Sequence, residues 1–368
     1  MPGYIHPVRK PRTDSSQNPE KRSDPFQFGS RYLEEGDDIF SYNAWDHVET
    51  DETYRVFAED MYAKQRSEPV SEFDKKRFNE TPERWWNKFY SNNNANFFKD
   101  RKWLHQEFPI LSDLSKADAA PSVILEVGAG AGNTAFPVMK LNQNPGLTLH
   151  ACDFSKKAVE VIQKSPDYNA ENMLGTLHAS VWDIAAPPHP ETEKATLPEG
   201  IEPGTVDVVV LIFIFSALAP SQWAQAVKNV WACLKPGGQV LFRDYGRGDL
   251  AQVRFKKGRY MEENFYVRGD GTRVYFFDEE ELRRLWTGTR NEGAEASEGR
   301  EGDALDAAMD RLSVKERTEE RFEVVNFGVD RRMLVNRQRR LKMYRCWMQA
   351  RFKKPDLASV DANSAAEA

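Results

Sequence analysis

A glycine-rich turn directly after an apolar segment is the feature that most constrains this sequence. Val123 to Asn133 reads VILEVGAGAGN, with glycines at positions 128, 130 and 132. The pattern predicts a buried strand that opens onto a turn and then a helix. Alternate glycines allow positive φ and close approach of a ligand to the backbone, and the N–H groups that begin the helix can bind a carboxylate or phosphate. This glycine loop, residues 128–132, therefore predicts a site for a nucleoside cofactor.

The loop alone does not identify the cofactor, because similar turns occur in nicotinamide enzymes, in flavoproteins and in proteins that bind nothing. The next apolar segment, LTLHACD, ends at Asp153. That is about the distance along the chain at which an acidic side chain accepts hydrogen bonds from ribose hydroxyls. The glycines are more closely spaced than in GxGxxG, which favours S-adenosylmethionine over a dinucleotide.

Strands and helices alternate after the glycine loop. LHASVWD ends at Asp183, VDVVVLIFIFSAL is apolar throughout, and QVLFRDYG follows a helix that we expect from Ser221 to Leu234. Two further strands, FEVVNFGVDRRMLVN and MYRCWMQARFK, are expected to complete one edge. The alternation predicts an α/β fold with a doubly wound, mostly parallel sheet of seven strands.

The remaining segments suggest how the chain is divided. Residues 49–78 and a segment that begins at Pro82 are helical in pattern, whereas the segments rich in Pro, Ser, Gly and charge are predicted to be disordered. The predicted parts are a disordered tail (1–25), an N-terminal arm with helices (26–115), a catalytic domain (116–287 and 321–354), a flexible insertion (288–320) and a second tail (355–368).

Composition narrows the class of protein. The net charge of −6 does not suggest a nucleic-acid partner, but KDRKW, RFKKGR and RQRRLKMYR combine basic and aromatic residues. Such a stretch is often only a solvated face, yet three of them beside a nucleoside site favour RNA. Three cysteines without ligand spacing predict a reducing compartment, here the cytoplasm, and no metal site. No apolar segment reaches membrane-spanning length.

The carboxyl ends of parallel strands meet in one crevice, so the residues that end these strands are candidate site residues. We expect the glycine loop to bind the amino-acid end of the cofactor, Asp153 the ribose, and Asp183 the adenine amino group, with Ile184 and Ile212 on either face of the ring. The two aspartates could instead be helix caps. Trp86 and Tyr90, four residues apart on one helix face, could be core aromatics or a lid that attracts a sulfonium.

The residues that two classes of methylation require are not found where they would be expected. Methylation of pyrimidine C5 needs a nucleophilic cysteine, but Cys233 lies in a helical stretch and reads as a core residue. The fourth strand continues as Ile212-Phe213-Ile214-Phe215-Ser216, without the Asp/Asn-Pro-Pro-aromatic signature of many amino-group methylases. These exclusions leave a substrate whose own lone pair attacks the methyl group, such as a ring nitrogen of an unpaired base.

Taken together, LEVGAGAGN, ACDFS, LIFIFSA, LKPGG, FRDYGRGD, RFKKG and NFYVRGDGTRVYFF resemble the tRNA 3-methylcytidine methyltransferases. FGSRYL, NAWDHVE and NFFKDRKWL are similar to the branch that acts on threonine tRNA. The resemblance implies a Rossmann-like class I methyltransferase that methylates N3 of cytidine 32 in the anticodon loop. Departures are Ala129, where relatives often have cysteine, and the insertion at 288–320.

The resemblance implies cofactor positions at Trp86, Tyr90, Gly128, Asp153, Asp183, Ile184 and Ile212, to which the glycine loop adds Gly130. For catalysis we expect Asp244 to stabilise the cationic product ring, Arg243 or Tyr245 to hold the base or a phosphate, and Phe213 to stack on the base. The predicted RNA-binding residues are Lys99, Arg101, Arg254, Lys256, Lys257, Arg268, Arg273, Arg331 and Arg332.

Two interpretations stay open beside this one, a small-molecule methyltransferase of the same fold and a non-catalytic RNA-binding subunit. The segment NFYVRGDGTRVYFF is predicted to form a hairpin with Asp270 and Gly271 at its turn, and its arginines, Arg268 and Arg273, could simply pair with neighbouring carboxylates. The expected partners are S-adenosylmethionine and the anticodon stem-loop of threonine tRNA, with serine tRNA a second candidate. A synthetase or another accessory protein could also take part.

Overall fold

The fold is described from a computed structural model that covers residues 31–101, 103–168, 170–288 and 321–356. The predicted tail at 1–25, nearly all of the predicted insertion at 288–320, and the end of the second tail lie outside these described residues. The strands of the described part are β1 (Ala44–Asp46), β2 (Ser122–Val127), β3 (Leu147–Asp153), β4 (Thr176–Val181), β5 (Val206–Ile212), β6 (Leu234–Tyr245), β7 (Tyr260–Glu262), β8 (Phe265–Val267), β9 (Arg273–Tyr275), β10 (Glu323–Asn336) and β11 (Leu341–Lys353).

The helices alternate with these strands after the N-terminal arm. They are α1 (Glu52–Ser67), α2 (Glu72–Glu80), α3 (Pro82–Asn93), α4 (Leu104–Glu107), α5 (Pro109–Leu114), α6 (Ala135–Leu141), α7 (Lys156–Gln163), α8 (Trp223–Cys233), α9 (Leu250–Val253) and α10 (Glu279–Thr287). The single helical stretch expected over 49–78 is divided into α1 and α2, because Pro69 lacks a backbone N–H and interrupts the helix.

The central sheet has eight strands in the order β1-β10-β11-β6-β5-β2-β3-β4. The five strands from β6 to β4 are parallel to one another, whereas β11, β10 and β1 add antiparallel partners at one edge. The order along the chain reverses between β2 and β5, so their carboxyl ends form the switch point where α/β folds bind ligands. This confirms the predicted doubly wound, mostly parallel sheet.

The eighth strand, β1, is the difference from the expected seven. Its Trp45 faces Met333 of β10, is 0% exposed, and donates its indole N–H to the Ile39 carbonyl at 2.8 Å. A strand of three residues is too short to show an alternating pattern in the sequence. Trp45 packs in one buried cluster with Tyr54 and Tyr344 and so anchors the arm on the core.

The core occupies both faces of the sheet. Val209 and Leu211 of β5 pack on one face with α8 and α10, while Val208 and Val210 pack on the other with α4 to α6. Alternate side chains of a strand point to opposite faces, so a strand buried on both faces must be apolar throughout. Cys233, expected to be a core residue, is fully buried on α8.

Three strands or helices end or begin at residues other than those predicted, and one of these differences shapes the site. β4 ends at Val181 before Asp183, and α8 starts at Trp223. The apolar segment expected to run from Val206 to Leu218 as one strand ends at Ile212. The next residue, Phe213, has φ +63° and donates its N–H to the Arg243 carbonyl at 2.8 Å, so the chain turns at this point. That turn places Phe213 above the carboxyl ends of β5 and β6.

The hairpin predicted around Asp270 and Gly271 is confirmed as β8 and β9, which pair antiparallel in a separate small sheet with β7. No helix in the described ranges is both long enough and apolar enough to cross a membrane. Among the same residues there is no group of three or more His, Cys, Asp or Glu side chains that could hold a metal ion.

Candidate active site

A cavity of about 530 Å³ opens at the carboxyl ends of the parallel strands. This is a volume typical of sites for small ligands and cofactors. It has a cofactor end, next to the glycine loop, and a base end, next to the carboxyl end of β6. The predicted site residues that line it are Trp86, Tyr90, Lys99, Arg101, Gly128, Gly130, Asp153, Asp183, Ile184, Ile212, Phe213, Arg243, Tyr245, Arg268 and Arg273.

At the cofactor end, the glycine loop is folded against the Asp153 carboxylate. Gly130 N–H donates to Asp153 Oδ2 and Ser155 N–H to Oδ1, both at 2.8 Å. Each carboxylate oxygen can accept a second hydrogen bond, so ribose hydroxyls could still bind. Burial raises the pKa of Asp153 to about 6, against the lowering effect of the two backbone N–H groups.

The loop leaves no room for side chains where the backbone must approach a ligand. Gly128 and Gly130 have φ of +64° and +61°. A Cβ added at Gly130 would lie 2.5 Å from the Tyr90 hydroxyl, and one at Gly128 would overlap Ile214. Both positions therefore favour glycine, and the binding of the amino-acid end of a cofactor by this loop stays a prediction.

Helix α3 forms the wall of the cavity beside the glycine loop. Pro82 occupies its first turn, where the missing N–H costs nothing. Trp86 and Tyr90 stack with ring centroids 6.3 Å apart, and Phe89 packs edge-on against Tyr90. Tyr90 is 5% exposed and also lines the cavity, so it is both a packed aromatic and part of the wall. The contact of these rings with a cofactor remains a prediction.

Asp183, Ile184 and Ile212 also line the cavity. Asp183 Oδ1 accepts from the Ala185 N–H at 2.9 Å within a turn, and burial raises the pKa of this carboxyl. The two isoleucines are 4% and 2% exposed and belong to the cores on opposite faces of the sheet. Both side chains also line the cavity, and their contact with the two faces of an adenine ring stays a prediction.

Phe213, Tyr245 and Arg243 line the base end. The Phe213 and Tyr245 rings are 4.8 Å apart, and the Arg243 guanidinium lies over the indoles of Trp103 and Trp347 at 5.2 and 4.8 Å. Sequence reasoning missed both tryptophans as site residues. The available signal was their position at two of the basic, aromatic stretches: Trp103 ends KDRKW, and Trp347 lies two residues after RQRRLKMYR.

Asp244 is not among the cavity-lining residues, which corrects its expected contact with the base. Successive side chains of β6 point to opposite faces, so Arg243 and Tyr245 line the cavity and Asp244 points away from it. Its carboxylate accepts from the Ser216 N–H at 2.9 Å and the Tyr245 N–H at 2.8 Å. Burial raises the pKa of Asp244 to about 6. The side chain thus holds the turn after β5 against the end of β6.

The predicted RNA-binding residues lie in different surroundings. Arg273 is 4% exposed and donates to Asn79 Oδ1 at 2.9 Å and Gln222 Oε1 at 3.1 Å, and burial lowers its pKa to about 10. Arg268 lines the cavity and donates to the Arg273 carbonyl at 3.0 Å. These hydrogen bonds are with amides and a carbonyl, so pairing with carboxylates does not account for the two hairpin arginines.

Arg101 lies at the cofactor end rather than on an outer RNA face. It donates to Thr134 Oγ1 at 2.8 Å and approaches Glu126 at 3.4 Å, directly behind the glycine loop. Burial raises the pKa of Glu126 to about 7, and the charge of Arg101 opposes that rise. Lys99, in contrast, is exposed at the mouth of the cavity.

The other basic residues do not line the cavity. Arg254 and Lys256 are exposed, and Lys257 pairs with Glu68. On β10, Arg331 pairs with Glu49 at 3.1 Å and Arg332 with Asp46 at 2.6 Å. These two ion pairs connect β10 to the N-terminal arm.

Comparison with known proteins shows which sequences and structures this chain is similar to. The sequence model of a family described as a methyltransferase domain matches residues 125–240. Two solved structures are similar to this chain over most of their own length. They are a SAM-dependent methyltransferase from Anabaena variabilis (13% identity, TM-score 0.43, 78% of this chain and 97% of that one) and the PH0226 protein from Pyrococcus horikoshii (14%, 0.42, 74% and 98%).

Curated relatives share far more sequence. The tRNA(Thr) (cytosine(32)-N(3))-methyltransferase of Saccharomyces cerevisiae is 48% identical over 94% of this chain, which spans only 48% of that protein. The tRNA N(3)-methylcytidine methyltransferase trm140 of Schizosaccharomyces pombe is 43% identical over 89% of this chain and 92% of its own. Human tRNA N(3)-cytidine methyltransferase METTL2B is 32% identical over 91% and 95%. On the identity and near-complete coverage of the last two relatives, the chain belongs to the tRNA N(3)-methylcytidine methyltransferase family.

Proposed function

We propose that this chain transfers a methyl group from S-adenosylmethionine to N3 of cytosine 32 in the anticodon loop of threonine tRNA. The observation that carries the proposal is one cavity with two chemically different ends. The cofactor end has a backbone cradle and two carboxylates, and the base end has aromatic rings and arginines. Membership of the tRNA N(3)-methylcytidine family supplies the substrate class.

The cofactor end fits an adenosyl group. Asp153 accepts from the ribose hydroxyls with the lone pairs that the backbone leaves free, and Asp183 accepts from the adenine amino group. Ile184 and Ile212 cover the two faces of the adenine. Trp86 and Tyr90 of α3 lie beside the glycine loop, where their ring faces attract a sulfonium.

The chemical step needs little acid-base catalysis by the protein. The bound cofactor supplies an electrophilic methyl carbon attached to a positively charged sulfur. The N3 lone pair of neutral cytosine forms the new N–C bond as the S–C bond breaks, so the positive charge passes from sulfur to the pyrimidine and no proton moves. Rate enhancement then depends on orientation and on the electrostatics of the base end.

The protein must bring N3 to the cofactor. N3 lies on the Watson-Crick edge, so the nucleotide is unpaired and turned into the cavity. Phe213, fixed above the ends of β5 and β6 by its turn, stacks on the base together with Tyr245. Asp244 acts from behind the wall by holding the backbone of Tyr245. Arg268 and Lys99, at the mouth, contact the phosphates beside the flipped nucleotide.

The anticodon stem lies along the basic surface outside the mouth. β11 pairs with β6 only from Trp347 onward, although it begins at Leu341. Six residues of the β10–β11 hairpin therefore project about 20 Å beyond the carboxyl end of β6 at the usual rise per residue. Arg345 on this projection lines the mouth. The exposed Arg254 and Lys256, with Lys257 after it leaves Glu68, contribute further phosphate contacts.

Incubation with labelled S-adenosylmethionine and total tRNA, followed by nucleoside mass spectrometry, tests the proposal. We expect the label in 3-methylcytidine from threonine tRNA, and serine tRNA is assayed in parallel. A cell extract of small metabolites serves as the competing acceptor. Label confined to a metabolite would establish the small-molecule alternative, and tRNA binding without transfer would establish a non-catalytic subunit. A requirement for a synthetase or other accessory protein would appear as transfer only after a cell extract is added.

A further inference from the structure

The guanidinium of Arg243 is firmly held in the wall of the base end. It lines the cavity, yet its side chain is only 3% exposed. Nη2 donates to Asp330 Oδ2 at 2.6 Å, and Nη1 donates to Gln349 Oε1. The rings of Trp103 and Trp347 lie against the same group. Two acceptors and two indoles therefore fix its orientation and leave its remaining N–H groups to meet a ligand.

Within the sheet, the partners of Arg243 come from the two strands that follow β6 in the strand order, β11 and β10. In the register, Arg243 of β6 faces Gln349 of β11, and Trp347 of β11 faces Asp330 of β10. Residues paired across strands, and those two apart along a strand, share one face of a sheet. The sheet itself thus places Arg243, Gln349 and Asp330 side by side. Gln349 is fixed in turn by its Nε2–H, which donates to Glu107 Oε2 at 3.0 Å.

The pair of Arg243 and Asp330 carries no net charge at neutral pH. Burial raises the pKa of Asp330, but the charge and hydrogen bond of Arg243 lower it. The lowering outweighs the effect of burial, so the pKa lies below the usual value. The carboxylate is therefore ionised and balances the guanidinium. An arginine without this partner would place a bare cation at the base end.

That balance matters because the base becomes cationic as its N3–C bond forms and the S–C bond breaks. An uncompensated guanidinium would repel the charge arriving on the ring. The donors of Arg243 can bond only to acceptors, and the acceptors of the cytosine ring are N3 and O2. Since N3 must face the methyl group, the carbonyl oxygen O2 is the acceptor left for Arg243.

We propose that Asp330 is a positioning residue for methyl transfer: it holds Arg243 so that the remaining N–H groups bind O2 of the flipped cytosine, and it neutralises the guanidinium as the ring gains charge. This inference rests on the proposed function. It adds to that function a residue on β10, one of the antiparallel strands of the central sheet.

Two substitutions separate the two parts of this role. Asp330→Asn retains an acceptor but loses the negative charge, so we expect kcat to fall about tenfold or more with KM for tRNA within about twofold. Asp330→Ala also releases Arg243, so kcat/KM should fall roughly a hundredfold. Affinity for S-adenosylhomocysteine should stay within about twofold in both, which also shows that the variants are folded.

Asp46→Asn is the matched control. Asp46 forms a 2.6 Å ion pair with Arg332 two residues further along β10, and it does not line the cavity. Its loss weakens the same sheet edge without touching Arg243, so kcat should be unchanged. If Asp330→Asn has the kcat of the wild type, or if Asp46→Asn loses as much as Asp330→Asn, the charge-balancing role is refuted.

A binding measurement tests the contact with the base independently of turnover. An anticodon stem-loop with cytosine at position 32 is compared with one that lacks only that base. Wild type and Asp46→Asn should bind the complete stem-loop more tightly, and Asp330→Ala should bind both equally. The inference is overturned if Asp330→Ala retains the full difference. Failure of the proposed function would look different, because wild-type protein would then form no 3-methylcytidine in tRNA.

Discussion

Replacement of Gly130 by alanine tests the close contact on which the cofactor end depends. The added Cβ would lie 2.5 Å from the Tyr90 hydroxyl oxygen and 3.4 Å from Cζ, at a residue whose φ is +61°. Tyr90 is 5% exposed and packed between Trp86 and Phe89, so its ring has little space to move. The substitution should therefore disturb both the loop and the α3 wall.

The expected cost has two parts. A left-handed backbone conformation costs an alanine about 1–2 kcal/mol. Overpacking of a buried ring typically adds about 1–3 kcal/mol. The sum is roughly 2–5 kcal/mol. We expect it to appear partly as a lower free energy of unfolding and partly as a weaker affinity for S-adenosylhomocysteine. If half of it falls on binding, the affinity decreases by about one to two orders of magnitude.

Urea denaturation and calorimetric titration with S-adenosylhomocysteine measure the two parts. Gly204→Ala is the matched control, because Gly204 has φ +71° and no atom within 4 Å of an added Cβ. It should lose about 1–2 kcal/mol of stability and no affinity. Tyr90→Phe removes the clashing oxygen, so the double variant with Gly130→Ala should recover most of the affinity lost by Gly130→Ala.

The reasoning would be refuted if Gly130→Ala bound S-adenosylhomocysteine like the wild type. It would also be refuted if Tyr90→Phe failed to improve binding in the alanine background. Either result would mean that the contact between the glycine loop and α3 does not shape the cofactor end.

Further predictions concern charge. Burial raises the pKa of Asp153 to about 6, and only the ionised carboxylate accepts from both ribose hydroxyls, so cofactor affinity should be full above that pH and fall about tenfold by pH 5. The variant Asp244→Asn should show the same dependence of cofactor affinity on pH. A wild-type affinity that does not change with pH would refute the assignment of Asp153 to the ribose. Asp153→Ala should abolish cofactor binding in calorimetry. Lys256→Glu with Lys257→Glu should lose tRNA in a mobility shift while keeping the cofactor, and normal tRNA methylation would show that the RNA face is misplaced.

The sequence predicted the parts of the fold that local pattern controls. The glycine loop, the strand ending at Asp153 and the alternation of strands with helices all follow from periodicity and turn chemistry, and they locate the cofactor end. β1 could not be predicted, because three residues are stabilised by pairing with β10 and by burial of Trp45 rather than by their own pattern.

The base end was predicted less well, because its residues meet only through tertiary structure. Trp103 precedes α4 and Trp347 lies on β11, so more than two hundred residues separate two indoles that cover one guanidinium. Asp244 was expected in the cavity on the basis of its neighbours, but strand alternation turns it away. Arg101 was assigned to RNA from local charge, yet it lies behind the glycine loop because of its contact with Thr134.

The central claim is that one cavity brings an adenosyl methyl donor to N3 of a flipped cytosine. The most direct test is site-resolved mass spectrometry of threonine tRNA that lacks methylation at position 32, incubated with the protein and S-adenosylmethionine, beside the same tRNA with uridine at position 32. We expect one methyl group, on N3 of cytosine 32, and none in the uridine tRNA. Methylation at any other nucleotide, or equal methylation of the uridine tRNA, would contradict it.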